Sequence, residues 1–175
     1  MKKQARNAMC LGVTAGLGAA LVVGDPVLGV AAERMITVGA AETVKVYPGG
    51  IAFKARIDTG ANTTSINARR IEPFRRGGKR WVRFEVAGKR GQGMAMERQV
   101  VRVVRIKQFG AESKRRFVVR IGICLGNHYK DAQVTLQDRR RREYPLLIGR
   151  RYMAGAILVD SGREYVVGPT CPGRH

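Results

Sequence analysis

Histidine is scarce in this chain. His128 and His175 are the only two, and there is no His-Glu-x-x-His pair and no Cys/His set with ligand spacing. A resident metal is therefore not expected, nor is any other cofactor, and His128, in an Asn-His-Tyr turn, reads as a surface residue. Also missing are a Gly-x-Ser-x-Gly elbow and a Cys and His pairing, which excludes the usual serine and cysteine hydrolases. The glycine-rich GKRGQG segment, Gly88 to Gly93, lacks the spacing of a phosphate loop, and no buried strand leads into a helix there. It reads as a mobile hairpin tip. Acidic residues are few, with 13 Asp plus Glu against 33 Lys plus Arg. From Glu33 onward no amphipathic run is long enough for a large helix.

The first 32 residues differ from the rest. Lys2, Lys3 and Arg6 precede an apolar, small-residue run from Ala8 to Gly24, and Val30-Ala31-Ala32 supplies a small-x-small cleavage site. That is the order of a secretory signal peptide, so a periplasmic or secreted protein is expected. Gly12, Gly16, Gly18 and Gly24 with Pro26 make the run short for a bilayer span, and no stable membrane anchor is expected. Cleavage near Ala32 removes three basic residues and Asp25, leaving 30 basic against 12 acidic side chains and a net charge of +18. Such a charge attracts polyanions. Export argues against nucleic acid and toward anionic polymers or acidic polypeptides. Two cysteines remain, Cys124 in a strand-like run and Cys171 in a Thr-Cys-Pro-Gly tail. An oxidising compartment permits a disulfide, but nothing in the sequence places the two together, and they read as unpaired thiols.

Residues 33–168 read as one all-β domain, followed by a disordered tail over 169–175. Thr43 to Tyr47 alternates, Pro48-Gly49-Gly50 turns the chain, and Ile51, Phe53, Ala55 and Ile57 share one face of a returning strand. Further strands are expected at Trp81 to Val86, Val100 to Ile106, Arg115 to Leu125, Ala132 to Leu136 and Glu164 to Val167. Leu146, Leu147 and Ile148 are consecutive apolar residues, as in a strand buried on both faces. Gly149 closes that strand, Arg150 to Ala154 fits a short helical turn, and Ala156 to Val159 returns as a strand. Arg139 to Arg142 is a run of four arginines that reads as a solvated loop, with an anion-binding edge as the other reading.

The candidate chemistry sits at Asp58, Thr59 and Gly60, where the strand through Ile57 ends. A carboxylate there can hold or give a proton, the hydroxyl can fix neighbours, and the glycine admits a close approach. The same triplet is ordinary turn chemistry. A second triplet, Asp160-Ser161-Gly162, follows too late in the chain for a second supporting lobe, and reads as a turn.

Asp-Thr-Gly after an apolar strand, combined with Leu-Leu-Ile-Gly and a short helix, resembles the retropepsin-like aspartic peptidases. The closer resemblance is to a bacterial branch once labelled ATP-dependent zinc protease and now described as retropepsin-like aspartic endopeptidases. Lys54 to Ala68, Ile71 to Val86 and Leu146 to Asp160 carry it, in the family's order. The resemblance implies a closed, acid-protease β-barrel with one short helix. It makes Asp58 the catalytic carboxylate, Thr59 and Gly60 its supporting loop, and Ala61 a neighbour of the substrate. One Asp per domain is half of a water-activating pair, so a homodimer is implied, with the hairpin through Gly88 to Gly93 as the flap. The expected function is peptide hydrolysis; relatives in this branch are associated with glutamate-ligase systems, and for a chain of this charge the resemblance implies acidic peptides as substrates. The alternative is a catalytically silent module that binds an anionic polymer through its Arg/Lys surface. Members commonly carry His where this chain has Asn67, so no role of that His transfers.

Overall fold

A computed structural model of the chain describes residues 35–88, 91, 93–108 and 111–172. The expected signal peptide lies outside these residues, as do Lys89, Arg90 and Gln92 of the hairpin tip. In chain order the elements are β1 (Ile36–Gly39), β2 (Ala41–Tyr47), β3 (Ile51–Asp58), β4 (Thr64–Arg76), β5 (Lys79–Ala87) and β6 (Gly93–Gln99). There follow β7 (Arg102–Gln108), β8 (Ala111–Leu125), β9 (His128–Gln137), β10 (Leu146–Gly149), α1 (Arg150–Met153) and β11 (Ile157–Asp160). Among the described residues no helix is long and apolar enough to cross a membrane.

Six strands close on themselves in the order β10-β3-β2-β8-β9-β4, with β4 returning to β10. The resulting all-β barrel, with one short helix, is the retropepsin-like architecture that the motifs implied. Closure removes the unpaired edges that an open sheet would expose. β5 and β6 extend outward from β4, β7 lies along β8, and β1 pairs β11 in a separate parallel ribbon.

Alternation puts the apolar residues inside. Phe53, Ala55 and Ile57 of β3, Val119, Ile121 and Ile123 of β8, and Ala132, Val134 and Leu136 of β9 are buried in one core, while Lys54 and Arg56 point out. Leu146 and Ile148 on β10 are fully buried, each contributing roughly 1.5–3 kcal/mol. The turn after β2 uses Gly49 and Gly50 at φ of 91° and 59°, a region where other residues are strained. Tyr152 of α1 is buried in the same core. Its hydroxyl lies 2.8 Å from the carbonyl of His128 and 3.2 Å from that of Ile123.

Burial pushes the Tyr152 phenol well above its ordinary value. A raised folded-state value means the unfolded chain loses this proton first. The stabilisation is complete below the unfolded value of about 10 and declines by about 1.4 kcal/mol per pH unit as pH rises beyond it. Urea unfolding between pH 9 and 11.5 is expected to show this decline, and Tyr152→Phe to remove that component. An unchanged slope in the variant would contradict it.

Three features depart from the sequence reading. β4 runs unbroken through Arg69 and Arg70, where alternation fails, because it serves two sets of neighbours. Thr64 to Asn67 pair β9 in the barrel, and Glu72 to Arg76 pair β5 after a register shift, with Arg70 at φ 48°. Glu164 to Val167 is no strand: its backbone bonds to Ala41 O and to the buried Glu42 carboxylate instead of to a ladder. Lastly, Cys124 and Cys171 are joined in a disulfide, not free, and the tail is fastened at least to Cys171 instead of disordered from residue 169. Thr170 N donates to Gly126 O at 2.7 Å, which brings Cys171 over the end of β8.

Candidate active site

β3 runs parallel to β10, and the register sets Ile57 beside Ile148 and Asp58 beside Gly149. β10 is also antiparallel to β4, with Leu147 opposite Ser65. The chain that leaves β3 at Asp58 and enters β4 at Thr64 therefore crosses over β10 and straddles Gly149. Contact there is close: a Cβ on Gly149 would lie 2.7 Å from the Thr63 carbonyl carbon and 3.0 Å from Ala61 O. Gly149 N donates to Thr64 Oγ1 at 3.2 Å. The start of α1 finishes the clamp, since Arg150 N donates to Ala61 O at 2.8 Å and Arg151 N to Asn62 O at 3.1 Å. These N–H groups have no partner within a helix, and the loop carbonyls satisfy them.

The loop in turn fixes the carboxylate. Asp58 Oδ1 accepts from Gly60 N at 2.9 Å and from Ala61 N at 3.0 Å. A Cβ on Gly60 would crowd this oxygen at 3.2 Å. Asp58 is half-buried, and Thr59 and Gly60 are exposed. Arg150 steadies the outer side, its Nη1 donating to Thr59 O at 3.1 Å. Asp58, Thr59, Gly60 and Ala61 thus form one clamped loop with an anchored, solvent-accessible carboxylate, an arrangement able to take or give a proton. Asp160 stands apart from it. It pairs Gly39 in the β1–β11 ribbon, and its Oδ1 accepts from Gly162 N at 3.0 Å, which is a turn.

Gly149→Ala is expected to push the Thr63 backbone away, because no flexible side-chain end is available to yield. Overpacking of this kind costs about 1–3 kcal/mol. Thermal melting checks it, and an unaltered midpoint would mean that the loop is not clamped as described.

Sequence reasoning missed two residues beside this loop. Arg139, within the four-arginine run, is buried, whereas Arg140, Arg141 and Arg142 are exposed. Its Nη1 donates to Ser65 Oγ at 2.8 Å and its Nε to Tyr144 O at 3.1 Å. Burial lowers the affinity of its guanidinium for its proton, Arg142 and Arg116 add repulsion, and the Asp58 carboxylate acts the other way. The second is Asn67, which is buried and ties three segments. Its Oδ1 accepts from Arg139 N and its Nδ2 donates to Ala87 O, each at 2.8 Å. Four consecutive arginines carry no local signal that one is inside. Arg140 pairs Asp138 at 2.6 Å and holds that carboxyl down to about 2. Among the described residues no three His, Cys, Asp or Glu side chains form a set that could hold a metal.

The RimB-like family, described as retropepsin-like aspartic endopeptidase RimB, matches residues 37–170. The chain belongs to that family. A probable alpha-L-glutamate ligase of Shewanella pealeana is 38% identical over 120 residues, covering 67% of this RimB-like chain and 26% of the ligase. One from Parasynechococcus marenigrum is 33% identical over 139 residues, covering 77% of the chain and 30% of the ligase. The RimB-like chain therefore spans about a quarter to a third of the length of the curated relatives it matches. Among solved structures, a Legionella pneumophila protein of unknown function (DUF785) superimposes with a TM-score of 0.64 at 28% identity, covering 74% of this chain and 96% of that one.

Proposed function

We propose that the protein is an exported aspartic endopeptidase in which Asp58 supplies one of two carboxylates that share a proton across the two-fold axis of a homodimer. The observation that carries this reading is the anchoring of Asp58. One oxygen is held by Gly60 N and Ala61 N, and among the described residues no donor is bonded to the other. In the reaction, the ionised carboxylate takes a proton from water as the water oxygen bonds to the scissile carbonyl carbon. The protonated partner gives its proton to the carbonyl oxygen. Collapse of the tetrahedral adduct breaks the C–N bond: the carboxyl that took the water proton passes it to the leaving amine, and one adduct hydroxyl returns its proton to the other carboxylate as the carbonyl re-forms, which restores the shared-proton pair. Thr59 and Gly60 hold the loop, and Ala61 borders the substrate.

Export is supported by the basic-then-apolar N-terminus and by the Cys124–Cys171 bridge. The glutamate-ligase names describe much longer relatives, of which this chain matches about a quarter to a third. The second reading, a silent module that binds an anionic polymer, is favoured by the charge alone. A peptide library incubated across pH 3 to 8 at several protein concentrations separates the two. Cleavage with a bell-shaped pH profile, and a specific activity that rises with concentration until the dimer saturates, is expected. No cleavage at any pH would leave the binding module, and activity from a strict monomer would overturn the shared pair.

A further inference from the structure

The residue before Asp58 is tied, through a single intermediary, to a strap that one covalent bond holds down. Ile57 N donates to Ala40 O at 2.9 Å, and Ala40 N donates in turn to Arg163 O at 2.7 Å. Arg163 belongs to the strap, residues 161–171, which follows β11. Contact is closest at Gly39, where a Cβ would meet Arg163 O at 2.5 Å and Glu164 Cα at 2.8 Å, so only glycine lets the two backbones lie this near. Further on, Tyr165 N donates to Ala41 O, and Val166 N and Val167 N to the buried Glu42 carboxylate. These bonds fall where the chain passes from β1 into β2, and Ala41 pairs Arg56 of β3. The far end of the strap is fastened by the Cys124–Cys171 bond and by Thr170 N, which donates to Gly126 O.

We propose that the Cys124–Cys171 bond is a redox switch on the Asp58 loop: the chain carries two free thiols and a loose strap until export, and oxidation then seats the strap and sets Asp58 in place. The switch presupposes both export and the catalytic role of Asp58. A reducing cytosol keeps the thiols apart, and an oxidising compartment joins them. Closure needs a disulfide-bearing oxidant. Cys171 is half-buried and Cys124 fully buried, so the Cys171 thiolate attacks the oxidant's disulfide and displaces one of its sulfurs. The Cys124 thiolate then attacks the Cys171 sulfur and displaces the other. Two electrons and two protons leave the protein, and the oxidant becomes a dithiol. Without the bond the strap is held by a few hydrogen bonds, and such segments open locally. Ala40 N then loses its acceptor, the stretch 39–42 gains freedom, and Ile57 keeps only its register beside Ile148 on the β10 side. A misplacement of about 1 Å at a reacting group costs up to about a hundredfold in rate. The peptidase thus stays dormant in the compartment where it is made.

Amide hydrogen exchange reads the switch without any substrate. Dithiothreitol, added to the unmodified protein without denaturant, is expected to speed exchange over residues 57–61 at least about tenfold, to leave Ala132 to Leu136 of β9 unchanged, and to be reversed by reoxidation. Cys171→Ser should show the fast exchange with or without dithiothreitol. Gly39→Ala, which keeps the bond but pushes the strap backbone away, should show it in the oxidised protein. Equal acceleration over 57–61 and in β9 would make the bond a general stabiliser and overturn the switch. So would native exchange over 57–61 after reduction, or in Gly39→Ala. With a cleavable peptide, reduction should lower kcat at least about tenfold with KM nearly unchanged. Cleavage at one rate in both redox states would overturn the switch and keep the endopeptidase. A redox-dependent loop in a protein that cleaves nothing in either state would keep the conformational switch and defeat the endopeptidase.

Discussion

Asp58→Asn is expected to reduce peptide cleavage by at least about a thousandfold, since it removes both the base and the acid of a shared-proton pair. Its fold should survive. Asn keeps a side-chain oxygen for Gly60 N and Ala61 N, the two bonds that set the loop, at 2.9 and 3.0 Å in the native protein. The thermal midpoint should therefore stay within a few degrees while kcat collapses. Because each active site would draw on two subunits, excess Asp58→Asn protein mixed with the unmodified protein should also inhibit it, by trapping subunits in dimers with one carboxylate. Residual cleavage at near-native rate would remove Asp58 from the mechanism. A linear loss in the mixing experiment, with no inhibition beyond dilution, would make each subunit self-sufficient.

Reduction of the Cys124–Cys171 bridge carries the largest expected effect on stability. The bond closes a loop of 47 residues in sequence separation, for which the chain-entropy estimate is about 4 kcal/mol. It also holds down a strap whose contacts are otherwise few. Ala40 N donates to Arg163 O and Tyr165 N to Ala41 O, both at 2.7 Å, and Val166 N and Val167 N donate to the Glu42 carboxylate at 3.0 and 3.2 Å. Glu42 is fully buried and also accepts from Gly39 N at 2.6 Å. Once the strap frays, this carboxylate loses two of its three donors in a place where an underpaired charge is expensive. Urea unfolding with and without dithiothreitol should differ by about 2–4 kcal/mol, and Cys171→Ser should match the reduced protein. Identical curves would mean that the strap's hydrogen bonds hold it without the bridge.

Much of the barrel was legible because it depends on local alternation. Phe53, Ala55 and Ile57 declare a strand with one buried face, as do Ile121 and Ile123, and the unbroken Leu146 to Ile148 run declares one covered on both. β4 was not legible, since two neighbour sets and the shift between Arg69 and Glu72 erase its period. Nor was the strap legible as a strap: Glu164 to Val167 has strand composition but bonds to a side chain.

The sequence by itself determined which residues are apolar on alternate positions, where the glycines permit turns and close crossings, and that Asp58-Thr59-Gly60 ends a strand, while the resemblance to the family brought that triplet together with Leu146 to Gly149. Only the tertiary structure decided that Gly149 lies under the Asp58 loop, that Arg139 alone of four arginines is buried, that Asn67 clamps it, and that Cys124 meets Cys171. Those last contacts join residues 72 and 47 positions apart. Their meeting is set by barrel closure and strand register, which depend on every strand at once, while propensity and periodicity act over a few residues.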